Sequence, residues 1–379
     1  MIYLDNSATT KPHPEVLEAY HKVAEHYFGN PSSIHHFGGE SERLLTHSKK
    51  QAANILNVLP EEIVFTSGGT EGNNMAIKGI AFAHQNRGKH IITSQVEHPS
   101  VLEACHALES LGFDITYLPV SKEGIVNVDD LRNSITPETI LVSIMSVNNE
   151  LGTIQPISEI GTIVKKHPKI FFHVDHVQGL GKIALDFKAA GVDLCTVSGH
   201  KIHGVKGTGA LFIRKGTTLF PLQHGGGQEG TFRSGTENLA GIVAFTKALR
   251  LIKEAQDENQ VRLLKLNKML REHLREIPQV IINSPAGTVP HILNFSVPGY
   301  KPEVIIHSLG EKEIYISTKS ACSSKRSDES AVLAACQLGE ARATSALRVS
   351  LSYGTTEEDI EIFINVLRRI VNELHEVMG

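Results

Sequence analysis

Between residues 60 and 215, short apolar segments alternate with segments of helical length, and no other feature of this sequence limits its fold as strongly. Seven apolar segments have the length and composition of strands. They span residues 62–66, 90–94, 114–118, 140–145, 170–174, 194–198 and 210–213. Most are apolar on both faces, as buried parallel strands are. The alternation therefore predicts an α/β fold with a mainly parallel seven-stranded sheet.

The pattern changes after residue 237. A long helical pattern covers 238–277 with a break near Asp257, and shorter strand candidates follow at 280–282, 291–297, 314–316 and 347–351. A last helix is predicted over 357–377. We therefore expect a large domain over 15–255, and a smaller α+β C-terminal domain over 256–379 that is joined by residues 1–14.

Composition and charge exclude several classes of protein. The formal net charge of −4 gives no general attraction to nucleic acid or to an anionic membrane. No segment approaches the roughly 18 apolar residues of a membrane span, and the first residues do not resemble a secretory signal. The four cysteines (Cys105, Cys195, Cys322 and Cys336) form no C-x-x-C pair, and H-E-x-x-H is absent, so no metal site is expected. We expect a cytoplasmic protein without membrane or direct nucleic-acid contacts.

Polar residues follow the predicted strands at their carboxyl ends, where open α/β sheets bind their ligands. After the strand at 62–66, Gly69 and Thr70 lie in a turn that leads into a helix. Backbone N–H groups, a helix N-terminus and a hydroxyl group at this position suit an anion such as phosphate. The same residues also suit an ordinary glycine turn with Thr70 as the helix cap.

Two charged residues follow later strands. Asp175 comes after the strand at 170–174 and suits a helix cap, an ion pair, or a carboxylate that keeps a pyridine nitrogen protonated. Lys201 follows Ser198 and His200, and a partly desolvated lysine there can form a Schiff base. Most loop lysines are surface residues, so position alone does not decide the role of Lys201.

The order of these motifs resembles the class V aminotransferase group of fold-type I pyridoxal-phosphate enzymes. The motifs are Gly69-Thr70, Glu97-His98, Asn148-Asn149-Glu150, His173-Val174-Asp175 and Ser198-Gly199-His200-Lys201. Five further segments resemble the cysteine desulfurases of that group, and they span 3–10, 28–33, 225–229, 233–236 and 320–324. The resemblance covers nearly the whole chain and implies a fold-type I transferase with pyridoxal 5'-phosphate as its cofactor.

The resemblance implies a role for each residue near the cofactor. Lys201 would bind the cofactor covalently, and Asp175 would face its pyridine nitrogen. Asn149 and Gln178 would contact the phenolic oxygen, and His98 would stack on the ring and act as acid or base. The phosphate would be held by Gly69, Thr70, Ser198 and His200.

Three further implied roles concern the partner subunit and the substrate. Thr236 would reach the phosphate of a neighbouring subunit, which implies a homodimer. Arg348 would bind the substrate carboxylate, and Asn30 would help it. From the residues alone, His98 also suits a structural histidine and Arg348 a surface ion pair.

Pyridoxal phosphate supports several reactions, and Cys322 indicates which of them this chain catalyses. It lies in a polar segment with Lys319, Lys325 and Arg326 nearby, and these cations favour the reactive thiolate. The other three cysteines lie in apolar segments and are predicted to be packing residues. The resemblance therefore implies a cysteine desulfurase that takes sulfur from L-cysteine, releases alanine and carries a persulfide on Cys322.

Alternatives stay open at this point. A selenocysteine lyase or a small-amino-acid aminotransferase would use the same fold, whereas a sulfur-relay or scaffold protein without catalysis would not need the cofactor residues. A protein is expected to accept the sulfur, but its identity cannot be read from the sequence. Similar enzymes serve iron–sulfur cluster assembly, transfer-RNA thiolation or thiamin synthesis.

Overall fold

The structure is a computed structural model that describes residues 1–318 and 329–378. The strands are β1 (Ile2–Tyr3), β2 (Ile63–Thr66), β3 (His90–Ser94), β4 (Asp114–Leu118), β5 (Thr139–Ser143), β6 (Phe171–Asp175), β7 (Leu194–Ser198), β8 (Gly209–Ile213), β9 (Ile281–Ile282), β10 (Ile292–Ser296), β11 (Ile314–Tyr315) and β12 (Ala346–Ser350). The helices are α1 (Pro14–His26), α2 (His36–Leu56), α3 (Gly69–His84), α4 (Pro99–Glu109), α5 (Val128–Ser134), α6 (Ile157–Val164), α7 (Leu239–Glu254), α8 (Gln256–Arg275), α9 (Pro302–Gly310), α10 (Ala331–Ala335), α11 (Glu340–Ala343) and α12 (Glu357–Met378). Short 3-10 turns cover Pro60–Glu62, Gly199–Lys201 and Gln228–Thr231.

The central sheet has seven strands in the order β2-β8-β7-β6-β5-β3-β4. The strands from β7 to β4 run parallel to one another, whereas β8 is antiparallel to both β7 and β2. All seven strands predicted from the sequence are present. The prediction of an α/β fold with a mainly parallel seven-stranded sheet is therefore confirmed.

Apolar residues on both faces of the strands explain why this sheet lies inside the protein. Within β5, Leu141 packs on the side of α3 and α4, while its neighbour Val142 packs on the side of α2, α6 and α7. Ile91 and Ile92 divide in the same way within β3. Each such buried side chain contributes roughly 1.5–3 kcal/mol relative to exposure, so the sheet is stable only with helices on both faces.

Helix α3 brings the turn after β2 to the carboxyl edge of the sheet. It begins at Gly69, which the sequence placed in the turn before the helix, and it packs against β5, β6 and β7. Gly68 precedes it with a φ of 146°, a backbone conformation that favours glycine. The N-terminus of α3 therefore points toward the ends of the central strands.

The C-terminal residues form smaller sheets around a second apolar cluster. Strands β9, β10 and β12 pair in antiparallel order, and β1 pairs with β11 in parallel. Leu4, next to β1, lies in the same cluster as Leu263 of α8 and Phe363 of α12. The predicted break near Asp257 lies at Ala255, between α7 and α8. The division into domains over 15–255 and over 1–14 with 256–379 stays a prediction.

No helix in the described ranges is long and apolar enough to cross a membrane.

Candidate active site

A cavity of about 150 Å³ lies at the carboxyl edge of the central sheet, beside the N-terminus of α3. Ten of the residues that the sequence assigned to the site line it, namely Gly69, Thr70, His98, Asn149, Asp175, Gln178, Ser198, His200, Lys201 and Arg348. They come from separate segments between residues 69 and 348, so the fold brings them together.

Lys201 enters the cavity from the 3-10 turn that follows β7. Its Nζ donates hydrogen bonds to the backbone carbonyls of Ser7 and Ala8, the latter at 2.7 Å. Gln178 Nε2 donates to the same Ser7 carbonyl at 3.0 Å. The N-terminal segment after β1 therefore forms part of the wall around the lysine.

Asp175 lies at the end of β6, where it is buried and bound by neutral donors. Its Oδ1 accepts a hydrogen bond from the Val177 N–H at 3.0 Å, and its Oδ2 accepts one from Asn73 Nδ2 at 2.7 Å. Within the described ranges no cation forms an ion pair with it at 4.0 Å or less. A buried carboxylate held in this way can balance the charge of a protonated ring nitrogen.

His98 caps the N-terminus of α4 and lines the cavity. Its Nδ1 accepts a hydrogen bond from the Ser100 N–H at 3.1 Å and lies 2.8 Å from Ser100 Oγ. Burial lowers the pKa of His98 below its usual range; the charge of Asp175 opposes this effect and that of Lys201 reinforces it. The ring is therefore held mainly in its neutral form.

The residues near the N-terminus of α3 fit a phosphate group. Ser198 Oγ is buried and has no hydrogen-bond partner in the described part of the chain. A Cβ atom at Gly69 would lie 2.9 Å from Val177 Cγ2, so this turn has no space for a side chain. Burial, followed by the charge of Lys201, lowers the pKa of His200 to about 4. An unpaired hydroxyl, a glycine that leaves the backbone uncovered and a helix N-terminus together suit an anion.

Arg348 of β12 lines the same cavity and is 1% exposed. Its Nη1 donates to the Asn149 carbonyl at 2.9 Å, and its Nη2 donates to Asp5 Oδ1 at 3.0 Å. Its Nε is buried without a partner among the described residues. The surface ion pair that the sequence left open is therefore wrong, because this arginine is enclosed and its ion pair with Asp5 is a buried one.

Two assigned residues lie away from this cavity. Asn30 is exposed, and its Oδ1 accepts a hydrogen bond from the Ser32 N–H at 2.9 Å. Thr236 is also exposed. Neither residue lines the cavity in the single chain. Their assigned roles stay predictions.

The remaining assigned residue, Cys322, lies outside the described residues, together with Lys319, Lys325 and Arg326. The described cysteines, Cys105, Cys195 and Cys336, are all buried, as packing residues are. In the described ranges, no group of three or more His, Cys, Asp or Glu side chains is arranged to hold a metal.

The sequence assigned no role to several residues that complete the site. Asn73 and Ser100 lie behind Asp175 and His98, Asp5 pairs with Arg348, and Ser7 supplies a carbonyl to Lys201. Of these residues, Asn73 could have been found from the sequence. It is a polar amide four residues after Gly69, on the same face of a largely apolar helix. Asp5 and Ser7 reach the site only through long-range contacts, whereas Ser100 lies two residues after His98.

Comparison with known proteins gives a consistent result. The sequence model of the family described as aminotransferase class-V matches residues 2–363. A NifS/IcsS protein homolog of Lactobacillus delbrueckii subsp. bulgaricus is 48% identical over 380 residues, which cover 100% of this chain and 99% of its relative. The cysteine desulfurase IscS of Dictyoglomus turgidum is 46% identical over 99% of this chain and 96% of its own length.

Solved structures resemble this chain over similar lengths. A NifS-like protein is 36% identical and has a TM-score of 0.93. The match covers 98% of this chain and 99% of that protein. The structure of SspA in complex with cysteine is 34% identical, with a TM-score of 0.82 over 93% of this chain and 99% of that one. The chain therefore belongs to the aminotransferase class-V family and, within it, to the NifS- and IscS-type cysteine desulfurases, a group of pyridoxal-phosphate-dependent enzymes.

Proposed function

We propose that this chain takes sulfur from L-cysteine, releases L-alanine and carries the sulfur as a persulfide on Cys322. The proposal rests on one observation: Lys201, Asp175 and His98 line the same cavity, beside residues that suit an anion. A scaffold protein without catalysis would have no need for this combination of a lysine, a buried carboxylate and a phosphate-type turn.

The residues present suit pyridoxal 5'-phosphate. Lys201 would hold it covalently, and Asp175 would keep the pyridine nitrogen protonated. Asn149 and Gln178 would contact the phenolic oxygen, and the phosphate would be held by Gly69, Thr70, Ser198 and His200. When bound, the cofactor supplies a protonated ring that withdraws electrons from the substrate α-carbon.

The chain's own side chains then bind the substrate and move its protons. Arg348 binds the α-carboxylate through its free Nε and neighbouring Nη2, with Asn30 assisting. Lys201, whose amine lines the same cavity, would remove the α-proton. His98, which lines the same cavity, would stack on the cofactor ring.

The sulfur step needs Cys322 as a thiolate. Its Sγ attacks the substrate sulfur, so that an S–S bond forms and the Cβ–S bond of the substrate breaks. The electron pair of the broken bond stays with the substrate Cβ, which takes up a proton. The proton that Lys201 removed returns to the α-carbon, and the product is alanine. Cys322 then carries the persulfide to a sulfur acceptor.

We also propose that the enzyme is a cytoplasmic homodimer. Phe28 is 76% exposed and Ile34 is 106% exposed in the single chain, and both lie near Asn30. Large exposed apolar side chains of this kind favour an interface. In a dimer, Thr236 would reach the phosphate in the neighbouring subunit. The sulfur acceptor would be a protein of iron–sulfur cluster assembly, transfer-RNA thiolation or thiamin synthesis.

The substitution Cys322→Ala tests the proposal. We expect the variant to keep the absorption of bound cofactor but to lose release of alanine and sulfide from L-cysteine, because no thiolate remains to attack the substrate sulfur. Cys105→Ala, at a buried cysteine of α4, serves as the matched control and should keep both products. Full alanine release by Cys322→Ala would contradict the assignment. Transamination of L-cysteine by the unmodified enzyme without release of sulfide would instead indicate an aminotransferase.

A further inference from the structure

We propose that Asn73 and Ser100 are positioning residues that hold His98 as a neutral imidazole with its hydrogen on Nε2. This inference rests on the proposed function, because it specifies how one residue of the same site enters the reaction. It is carried by a chain of hydrogen bonds that runs from Asp175 through Asn73 and Ser100 to His98.

The first link fixes the orientation of the Asn73 side chain. Its Nδ2 lies 2.7 Å from Asp175 Oδ2 and 2.8 Å from Ser100 Oγ. A carboxylate only accepts hydrogen bonds, so the atom that faces Asp175 must be the amide nitrogen and not the amide oxygen. The two hydrogens of Nδ2 are then directed to Asp175 and to Ser100.

The second link fixes the direction of the Ser100 hydroxyl. Because Ser100 Oγ accepts a hydrogen bond from Asn73, its single hydrogen is free to point at His98 Nδ1, which lies 2.8 Å away. The backbone N–H of Ser100 also points at His98 Nδ1, at 3.1 Å. A backbone N–H never accepts, so this contact and that of the hydroxyl together favour an unprotonated His98 Nδ1.

The position of the hydrogen on His98 follows from these contacts. A neutral imidazole that accepts at Nδ1 carries its hydrogen on Nε2. A further proton would have to enter at Nδ1, where it would meet the hydroxyl and the backbone N–H of Ser100. While this network is intact, His98 therefore presents a hydrogen-bond donor at Nε2 and does not take up a substrate proton there.

A purely structural role does not explain Asn73. It is 1% exposed, and its Oδ1 is buried without a partner among the described residues. A buried acceptor that lacks a hydrogen bond destabilises the folded state, so a residue selected for packing alone would be apolar. An apolar residue could not supply the two N–H donors that Asn73 Nδ2 directs at Asp175 and Ser100.

The tautomer of His98 is measured directly by NMR on protein with ring-¹⁵N-labelled histidine, at about pH 7. The His98 signals are assigned by their loss in His98→Gln, and spectra are taken with and without pyridoxal phosphate. We expect an unprotonated Nδ1 and a protonated Nε2 in both states. A protonated Nδ1 in the unmodified protein would overturn the proposal without any variant.

Ser100→Ala tests the contribution of the hydroxyl. In this variant only the backbone N–H of residue 100 still donates to His98 Nδ1, so we expect the tautomer with its hydrogen on Nε2 to be less strongly favoured and the His98 signals to shift toward those of a mixture. The kcat with L-cysteine should fall roughly 10- to 100-fold because the ring is less well positioned. The KM for L-cysteine and the affinity for the cofactor should stay unchanged. Ser110→Ala, at the exposed end of the same helix, is the matched control. Ser100→Thr keeps a hydroxyl and should restore the spectrum and the rate.

Two further outcomes separate this proposal from the proposed function. Unchanged His98 signals in Ser100→Ala would refute the positioning role, whatever the activity. If the unmodified protein shows the expected tautomer but releases no alanine from L-cysteine, the proposed function fails while the assignment of the network stands.

Discussion

Arg348 is one of the largest side chains that the described part of the protein encloses completely, and its charge is balanced by one carboxylate. Asp5 supplies it from a segment 343 residues earlier in the chain. Burial raises the pKa of Asp5 above its usual range, although the charge of Arg348 acts in the opposite direction. The pair thus holds the arginine in place while leaving its Nε for another ligand.

Asp5→Asn tests the contribution of this pair at the residue scale. The substitution removes a charged hydrogen-bond acceptor from a buried guanidinium, which lowers the free energy of unfolding. Because burial of the carboxylate offsets part of the attraction, we expect a decrease of about 1–2 kcal/mol. Urea unfolding measures the change. Asp114→Asn, on the exposed start of β4, alters the net charge equally and should leave the free energy of unfolding nearly unchanged. Equal values for the two variants would contradict the argument.

Helix α6 contacts the loop before β7 so closely that one position admits only glycine. A Cβ atom at Gly161 would lie 1.8 Å from the backbone oxygen of Ala190, and a backbone oxygen cannot turn away as a long side chain can. The opposite situation occurs at Gly310, the last residue of α9, where nothing lies within 4 Å of the added Cβ. The same substitution should therefore have opposite effects in the two helices.

Gly161→Ala and Gly310→Ala test this difference at the element scale. We expect Gly161→Ala to lower the free energy of unfolding by roughly 1–3 kcal/mol, because the added methyl group displaces the backbone of the loop. Gly310→Ala should raise it by about 0.4–1 kcal/mol, because alanine restricts the unfolded chain at a position without steric conflict. Both values come from urea titrations. A neutral Gly161→Ala would show that the loop moves freely.

Lys182 and Tyr353 lie where the two main apolar clusters of the molecule meet. Tyr353 packs against residues of both clusters, and its hydroxyl donates to the Gly181 carbonyl at 2.5 Å. Lys182 Nζ lies 3.7 Å from the centre of the Tyr353 ring. Burial lowers the pKa of Lys182 to about 7. The contact between the clusters therefore contains a lysine that is charged in the unfolded chain and poorly accommodated as a cation in the folded one.

This contact predicts how stability depends on pH at the scale of the whole molecule. The unfolded chain binds more protons than the folded one between the folded pKa of about 7 and the ordinary value of 10.5. In that window the free energy of unfolding should rise with pH by up to about 1.4 kcal/mol per unit. Lys182→Met should remove this part of the slope and stabilise the protein at neutral pH.

The measurement is urea unfolding at several values between neutral and alkaline pH. Lys166→Met, at an exposed lysine, serves as the control and should keep the slope of the unmodified protein. A slope that persists in Lys182→Met would mean that other groups produce the pH dependence.

The pattern of apolar segments was enough to predict the central sheet and the place of the main site residues along the chain. Strands with apolar residues on both faces need helices on both sides of the sheet, and where such strands run parallel their carboxyl ends lie along one edge. Asp175, Ser198 and Lys201 follow such strands directly, so local spacing was enough to bring them to the same edge. The seven strands and the helices between them were predictable for the same reason.

The other residues that complete the site could be identified only in the folded chain. Asn73 reaches Asp175 across 102 residues of sequence, and Asp5 reaches Arg348 across 343. Neither contact has a repeating spacing, because each depends on how a helix or the N-terminal segment packs against the sheet. The directions of the hydrogen bonds behind His98 can be assigned only when the positions of Asp175, Asn73 and Ser100 are known together. The order of the residues in the sequence does not give these positions.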